Sequence, residues 1–243
     1  MTLDLLVLAP HPDDAELCCG GLLALCAARG QRAGVVDLTR GELGTHGTPE
    51  VRASEADAAA EVLGLALRDN LGLPDGHLRG DDQAQLDALV GAIRTHRPSL
   101  LLAPWTEARH PDHAATGRLA HAAHFLSGLR KHRPDLGAPF RATRLAHYPM
   151  RHEAPADLVV DITSAFETKA RAIACHASQF GGGDTLIGDA VGGQAFAVRD
   201  RYWGASIGVA HGEPYLLGAP VPMSDPVAHF AAHPQTPSLV PPR

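Results

Sequence analysis

The stretch that decides the fold is LLVLAPHPDD (residues 5–14), close to the start of the 243-residue chain. Five apolar residues in a row predict a strand that is covered on both faces, as in a parallel sheet. Polar residues follow at once, so this strand is expected to end in a loop rich in potential ligands. An apolar stretch at residues 17–29 predicts a helix, which Gly30 would end. A strand, a polar loop and a helix in this order begin an α/β fold.

The same alternation continues along the chain and predicts the topology. Further strands are predicted at residues 32–38, 68–71, 99–103, 143–148 and 158–161, and helices at 51–63, 82–96, 113–129 and 164–175, the last capped by Ser164. This order predicts a Rossmann-like, mostly parallel sheet with helices on both faces. Ligands bind such sheets beyond the carboxyl ends of the strands, where the strand order reverses. In a sheet of order 3-2-1-4-5, the loops after the first and fourth strands are neighbours.

Composition and charge narrow the class of protein. Residues 1–217 are expected to form one domain, and the tail at 218–243 contains seven prolines, which predict a segment on the surface or partly disordered. The net charge of −6 without a basic run argues against a nucleic-acid partner. No apolar stretch reaches the roughly 18–20 residues that span a bilayer. The start lacks the basic residues of a signal peptide, so we expect a cytoplasmic protein without a membrane partner.

Two loops hold the densest clusters of ligand-type side chains. HPDD (residues 11–14) follows the first strand, and HPDH (residues 110–113) follows the fourth. His11 and Asp14 stand three residues apart, which suits two ligands of one metal ion, and His113 would complete the set. Three protein ligands leave one position open for water, which is the arrangement of catalytic zinc sites. We therefore expect one Zn²⁺ per chain, in a site that would also accept another divalent metal.

The residues beside these ligands have the chemistry of acid–base catalysis. Asp13 adjoins Asp14, so one carboxylate of the pair is free to act as a general base. A protonated His110 in the same pocket could stabilise an oxyanion or protonate a leaving amine. Asp112 is expected to orient His110 and keep its imidazole cationic. Glu16 is expected behind the ligands or as a negative charge at the start of a helix.

These motifs resemble the PIG-L/LmbE deacetylases, both in the segment APHPDDAE and in the segment HPDH. Other segments are similar to the bacillithiol-biosynthesis branch of that family, the N-acetylglucosaminyl-malate deacetylases. They are RGELGTHGTPEVR (residues 40–52), HASQF (176–180) and IGVAHGEPY (207–215). The resemblance covers about residues 1–216. It implies a zinc-dependent hydrolase that removes the acetyl group of an N-acetylglucosamine conjugate, most closely N-acetylglucosaminyl-malate.

The resemblance also implies roles for the clustered residues. It implies that zinc is bound by His11, Asp14 and His113. It implies that Asp13 activates the water and that His110 stabilises the tetrahedral intermediate. The partner it implies is a small N-acetyl sugar conjugate, and the assembly it implies is a homo-oligomer, a trimer or a hexamer.

Substrate contacts form a second set of implied roles. Arg52 would bind substrate, because a guanidinium suits both sugar hydroxyls and a malate carboxylate. Arg109, Glu42 and Thr45 are further candidates for contacts with the sugar. His211 stands where this branch is expected to carry a tyrosine, so it is a candidate lid residue that would tune specificity.

Other function classes remain open at this point. Two histidines and one carboxylate also bind iron in non-haem oxygenases, which are built on β-rich scaffolds rather than on an α/β fold. A non-catalytic nucleotide-binding module is a second alternative, although no GxGxxG motif follows the first strand. Among deacetylases, a mycothiol-type enzyme, a chitooligosaccharide-type enzyme and a detoxifying amidase remain alternatives.

Overall fold

The computed structural model describes residues 2–150, 156–180 and 190–233, with side chains of 190–194 excluded. Its strands are β1 Leu5–Ala9, β2 Ala33–Thr39, β3 Leu67–Leu73, β4 Leu100–Pro104, β5 Arg144–Tyr148, β6 Leu158–Asp161 and β7 Gly212–Leu217. Its α-helices are α1 Asp14–Ala28, α2 Pro49–Leu63, α3 Gln83–His96, α4 Pro111–Leu126, α5 Phe166–Ala174, α6 Ala177–Phe180, α7 Ala190–Ser206 and α8 Pro226–Ala232. Every predicted strand and helix is present, with ends shifted by at most a few residues.

The strands form one sheet of order β3-β2-β1-β4-β5-β7-β6 within the described residues. Strand β1 pairs in parallel with both β2 and β4, so the strand order reverses between β1 and β4. The first five strands thus have the order 3-2-1-4-5 that was considered from the sequence, and the loops after β1 and β4 lie side by side. Strand β7 breaks the parallel pattern, since it runs antiparallel to both β5 and β6.

Helices cover both faces of this sheet. Leu5, Val7 and Ala9 of β1 belong to a hydrophobic cluster with α1, α2 and α5, whereas Leu6 and Leu8 belong to a second cluster with α3 and α4. Alternate side chains of a strand point to opposite faces, so a strand buried on both faces must be apolar throughout. The continuous apolar run that opens the chain is thus explained, and the predicted α/β class is confirmed.

Three local expectations need correction. Ser164 does not cap α5, because a 3₁₀ turn at Thr163–Ala165 precedes that helix and its N-cap residue is Ala165, without a side-chain bond. The glycines at residues 180–193 predict a mobile loop, but the segment is helical from Ala190 onward, in α7, while residues 181–189 lie outside the described part. Strand β7 was not predicted, because Gly212 and Pro214 are residue types depleted in strands.

The C-terminal tail lies on the surface as far as it is described. Residues 218–233 are all exposed and include the short helix α8, and residues 234–243 lie outside the described part. Among the described residues, no helix is both long enough and apolar enough to cross a membrane.

Candidate active site

The two His-Pro-Asp clusters meet at the carboxyl edge of the sheet. The imidazole of His11, from the loop after β1, lies 5.0 Å from that of His110 and 5.4 Å from that of His113, between ring centroids. The loop after β4, residues 105–110, leads into α4, whose N-cap is His110 and whose first turn contains Pro111. The helix start thereby fixes His113 at the edge of the pocket beside the first cluster.

Three side chains converge into a group that could hold a metal ion, called the metal-binding set below. Nδ1 of His11 lies 3.1 Å from Oδ2 of Asp14, and Nε2 of His113 lies 3.2 Å from the same oxygen. One ligand atom from each residue lies within 4.8 Å of the other two. Two imidazole nitrogens and one carboxylate are ligands that zinc favours, so these residues fit a metal ion. A second group, His11 with His110 and Asp112, meets the same distance limit.

The carboxylates around His11 determine its charge. Burial lowers the pKa of His11, but hydrogen bonds that its ring donates to Asp112, Asp14 and Asp75 outweigh burial and raise it to about 12. Burial raises the pKa of Asp14, but the charge of His113 and the bond from His11 outweigh it and hold that pKa well below its usual range. A metal ion that binds these residues must displace a proton from His11, so metal binding is expected to release protons.

Asp13 is held in an unusual backbone conformation beside the ligands. Its φ is 145°, a value that L residues rarely adopt, and its side chain does not cap α1 although it occupies the N-cap position. Burial and the charge of Asp14 raise the pKa of Asp13 to about 6, against the opposing charges of Arg52 and His176. A general base works best with a pKa near the working pH, so Asp13 has the properties of one.

Arg52 connects the loop after β1 with the loop after β2. It is only 3% exposed, and its Nη1 donates to the carbonyl of Gly41 while its Nη2 donates to the carbonyl of Pro12, both at 2.9 Å. The same Nη2 lies 3.3 Å from Oδ2 of Asp13. The guanidinium therefore fixes the position of Asp13. Substrate binding by Arg52 stays a prediction.

His110 and Asp112 are arranged differently from the expectation. Nδ1 of His110 accepts the backbone N–H of Asp112 at 3.2 Å, whereas the Asp112 carboxylate accepts the amides of Gly76 at 2.8 Å and Leu78 at 3.2 Å. Partial burial and two neighbouring imidazoles lower the pKa of His110. His110 is therefore expected to be neutral at pH 7, with its proton on Nε2, rather than a cation maintained by Asp112.

Glu16 lies behind the ligands, in a buried network that the sequence did not indicate. It forms an ion pair with Arg68, which binds Asp37 at 2.9 Å, and its Oε2 lies 3.5 Å from Nε2 of His176. Burial raises the pKa of Glu16, but Arg68 and His176 outweigh it and lower the pKa to about 2. His176 begins the segment HASQF, whose similarity to the N-acetylglucosaminyl-malate deacetylases was the sequence signal that could have identified this residue.

The remaining candidates for substrate contacts lie at the rim or away from the cluster. Arg109, Thr45 and Glu42 are exposed on loops that follow β4 and β2. His211 stacks on Phe166 with 3.6 Å between ring centroids, and its backbone N–H donates to Thr163. The contacts described for His211 thus connect it to α5 and its preceding turn, and a lid function stays a prediction.

Asp75 is a site residue that the sequence reasoning missed. Its Oδ1 lies 3.1 Å from Nε2 of His11, and its Oδ2 accepts the backbone N–H of Leu43 at 2.9 Å. Asp75 follows β3 in the turn Pro74-Asp75-Gly76, at the same edge of the sheet as the two clusters. That position, an acidic turn after a parallel strand, was a signal that could have identified it.

Comparisons with known proteins agree with this geometry. The family model described as PIG-L, GlcNAc-PI de-N-acetylase, matches residues 6–124. A diacetylchitobiose deacetylase of Thermococcus kodakarensis is 30% identical over 72% of this chain and 69% of that protein. A probable N-acetyl-alpha-D-glucosaminyl L-malate deacetylase 2 of Bacillus anthracis is 28% identical over 72% of this chain and 80% of its own length.

Two further relatives extend the comparison. The crystal structure of the conserved protein TT1542 from Thermus thermophilus has a TM-score of 0.84 and 44% identity, covering 93% of this chain and 98% of that one. A 4-oxalmesaconate hydratase of Pseudomonas putida is 30% identical over 72% of this chain and 73% of the hydratase. The matched residues 6–124 include all three members of the metal-binding set. The chain is therefore an enzyme that belongs to the PIG-L family of de-N-acetylases.

Proposed function

We propose that this enzyme hydrolyses the N-acetyl group of an N-acetylglucosamine conjugate, with zinc held by His11, Asp14 and His113. The observation that carries the proposal is the convergence of these three ligand atoms within 4.8 Å beside Asp13, a half-buried carboxylate of raised pKa. When bound in such a set, zinc acidifies water and polarises a carbonyl group. Both effects promote attack of water on an unactivated amide, so the donor set suits the reaction.

The protein's own residues would divide the proton transfers between them. Asp13, with a pKa near 6, is mostly ionised at neutral pH and would take a proton from the water that attacks the amide carbon. Arg52 holds the Asp13 carboxylate in place for this transfer. His110, neutral and protonated on Nε2, would donate a hydrogen bond to the developing oxyanion. The C–N bond then breaks, Asp13 returns its proton to the sugar nitrogen, and acetate leaves.

We propose N-acetylglucosaminyl-malate, an intermediate of bacillithiol biosynthesis, as the first substrate to test. The similarity of residues 40–52, 176–180 and 207–215 to that branch supports it, as does the Bacillus anthracis relative. The named substrates of the relatives differ, so a mycothiol-type sugar and a chitooligosaccharide are the alternatives. On this proposal the enzyme would act on a small molecule in the cytoplasm, as a homo-oligomer.

A hydratase is the second candidate function, because one relative of similar identity bears that name. Hydration adds water across a carbon–carbon double bond and releases no amine. A metal site and a general base could serve either reaction. The product that forms is therefore the observation that separates the two functions.

The test is release of free amine from three N-acetyl sugars by the purified protein, with zinc and with a chelator. The sugars are N-acetylglucosaminyl-malate, N-acetylglucosaminyl-inositol and diacetylchitobiose. We expect zinc-dependent amine release, fastest with the malate conjugate, that is lost in His113→Ala. The matched control is His121→Ala, because His121 is exposed two turns further along α4.

Two results would contradict the proposal. Amine release that persists in His113→Ala or in excess chelator would remove the metal site from the reaction. Failure to release amine from any of the three sugars, together with loss of the conjugated double bond of an unsaturated dicarboxylate, would assign a hydratase instead. Faster release from another sugar would retain the deacetylase and discard the malate conjugate.

A further inference from the structure

Asp75 connects the metal-binding set to the loop after β2. It is 6% exposed and follows β3 at the carboxyl edge of the sheet. One carboxylate oxygen lies 3.1 Å from Nε2 of His11, and the other accepts the backbone N–H of Leu43 at 2.9 Å. A single buried side chain thus contacts an imidazole of the set and the backbone of the loop after β2.

The two ring nitrogens of His11 face different partners. Nδ1 faces Oδ2 of Asp14 at 3.1 Å, the oxygen that His113 also approaches. Nε2 faces Asp75 at 3.1 Å and Asp112 at 3.4 Å. A histidine that binds a metal through one nitrogen carries its proton on the other and donates it to an acceptor, which fixes the ring. Carboxylates on the Nε2 side therefore leave Nδ1 for the metal.

This arrangement distinguishes the two groups of residues that could hold a metal. In the group of His11, Asp14 and His113, the partner of His11 lies on its Nδ1 side. In the group of His11, His110 and Asp112, the carboxylate lies on the Nε2 side. If Nε2 carries a proton and donates it to Asp75, Nδ1 remains free to bind a metal together with Asp14 and His113. The same proton prevents Nε2 from binding a metal together with His110 and Asp112.

Asp112 supports this arrangement from a different position. Its carboxylate accepts the amides of Gly76 and Leu78, which belong to the segment that carries Asp75. Asp112 lies further from His11 than Asp75 does, at 3.4 Å against 3.1 Å. Asp112 therefore holds the turn, and Asp75 is the nearer acceptor for the imidazole.

We propose that Asp75 is a positioning residue, which holds His11 with Nδ1 directed at Asp14 and His113 and so raises the affinity of that set for zinc. This inference rests on the metal site of the proposed function. It does not depend on which acetylated sugar, or which reaction, the enzyme serves. Loss of the carboxylate should leave His11 free to rotate or to change tautomer, and the metal would then be held less tightly.

The experiment compares zinc affinity in Asp75→Asn, Asp75→Glu and the wild type, by competition with a chromophoric chelator. The Asp75→Asn protein should bind zinc roughly 10–100-fold more weakly, as loss of a partner of a metal-binding histidine does elsewhere. Asp75→Glu retains a carboxylate and should recover part of the affinity. The control is Asp81→Asn, because Asp81 is an exposed aspartate in the same connection and pairs with Arg79.

A second measurement separates positioning from a general structural role. The thermal midpoints of the metal-free wild type and Asp75→Asn should be close, because Leu43 can still donate to the amide oxygen of asparagine. Wild-type zinc affinity in Asp75→Asn would overturn the proposal, and so would a metal-free midpoint that falls enough to explain the weaker binding. A wild type that binds zinc but releases no amine would reject only the proposed reaction, since affinity is read without turnover.

Discussion

Asp13 combines a strained backbone with a carboxylate whose pKa is raised to about 6, and we propose that this carboxylate accepts the proton of the attacking water. Its φ of 145° belongs to a region that glycine occupies freely and other residues do not. Such strain costs on the order of 1–3 kcal/mol and persists at sites where the surrounding structure requires it. The carboxylate is also held by Arg52 of helix α2, so two independent features keep Asp13 in place.

This strain predicts an unusual order of stability among variants. Replacement of Asp13 by glycine should relieve the strain, whereas alanine retains it. We expect the free energy of unfolding of Asp13→Gly to be about 1–2 kcal/mol higher than that of Asp13→Ala. This difference already includes the greater entropy of glycine in the unfolded chain, which opposes the gain from relieved strain. Urea unfolding of the metal-free proteins measures the difference. Both variants should lose most turnover, and equal stabilities would argue against strain at this residue.

At the scale of elements, the position of α4 depends on a close approach to the end of β4. A Cβ added to Gly117 would lie 2.6 Å from the carbonyl oxygen of Pro104 and 3.1 Å from the amide nitrogen of Thr106. Both are backbone atoms and cannot rotate away. Because His113 lies in the first turn of α4, any displacement of this helix also moves a ligand of the metal-binding set.

Gly117→Ala is therefore expected to affect both stability and metal binding. Overpacking of this kind costs about 1–3 kcal/mol, so the free energy of unfolding should fall and zinc should bind more weakly. Gly91→Ala in α3 is the matched control, because its Cβ would meet only Leu136, at 3.9 Å. That change should stabilise the helix by roughly 0.5–1 kcal/mol. Equal behaviour of the two variants in urea unfolding would contradict the close-approach argument.

His147 in β5 makes the sheet sensitive to pH. Its Nδ1 lies 2.8 Å from the carbonyl of Pro104, and burial lowers its pKa against the opposing effect of that bond. A histidine whose folded pKa is lowered contributes stability above its unfolded pKa, near 6.5. That contribution is lost as the pH falls from 6.5 towards the folded pKa, because the unfolded chain binds the proton more readily.

His147→Asn should remove this part of the pH dependence while retaining a donor for Pro104. Between pH 6.5 and 5, the wild type should lose up to about 1.4 kcal/mol per pH unit more than the variant. Urea unfolding of the metal-free proteins across this range measures the two slopes. Parallel curves would show that His147 does not titrate differently in the folded and unfolded states.

At the scale of the whole molecule, a buried ionic network connects the C-terminal elements to helix α1, which packs against the parallel strands. Nζ of Lys169 lies 2.6 Å from Oδ2 of Asp200 and 2.7 Å from Oε1 of Glu213. Glu213 also accepts the backbone amides of Gly21 and Leu22 in α1. Helices α5 and α7 and strand β7 are thereby joined to the helix that begins with Asp14.

Lys169→Met should destabilise the molecule because it leaves Asp200 and Glu213 buried without their shared cation. Breaking a buried pair in this way costs about 3–5 kcal/mol, a large share of the stability of a domain. The matched control is Arg171→Met, on an exposed position of the same helix, which should change stability by less than about 0.5 kcal/mol. Unfolding free energies that fall equally in both variants would contradict a role for the network.

The predictable part of this fold is the part in which each strand carries its own signal. Strand β1 is buried on both faces, and its apolar run is visible without any knowledge of its neighbours. Strand β7 carries no such signal, because Glu213 and Pro214 interrupt it. Glu213 is nevertheless fully buried, since Lys169 and three other donors satisfy its carboxylate. Such compensation is invisible in the sequence of the strand itself.

By itself the sequence determined the α/β class and the positions of the parallel strands along the chain, and it predicted that His11, Asp14 and His113 converge. These follow from local periodicity and from the rule that parallel strands present their carboxyl ends to one edge. Only the tertiary structure decided that Asp75 faces His11 and that the guanidinium of Arg52 donates hydrogen bonds to loop carbonyls. Such contacts join residues distant in the chain, and they depend on loop conformations that no local pattern specifies.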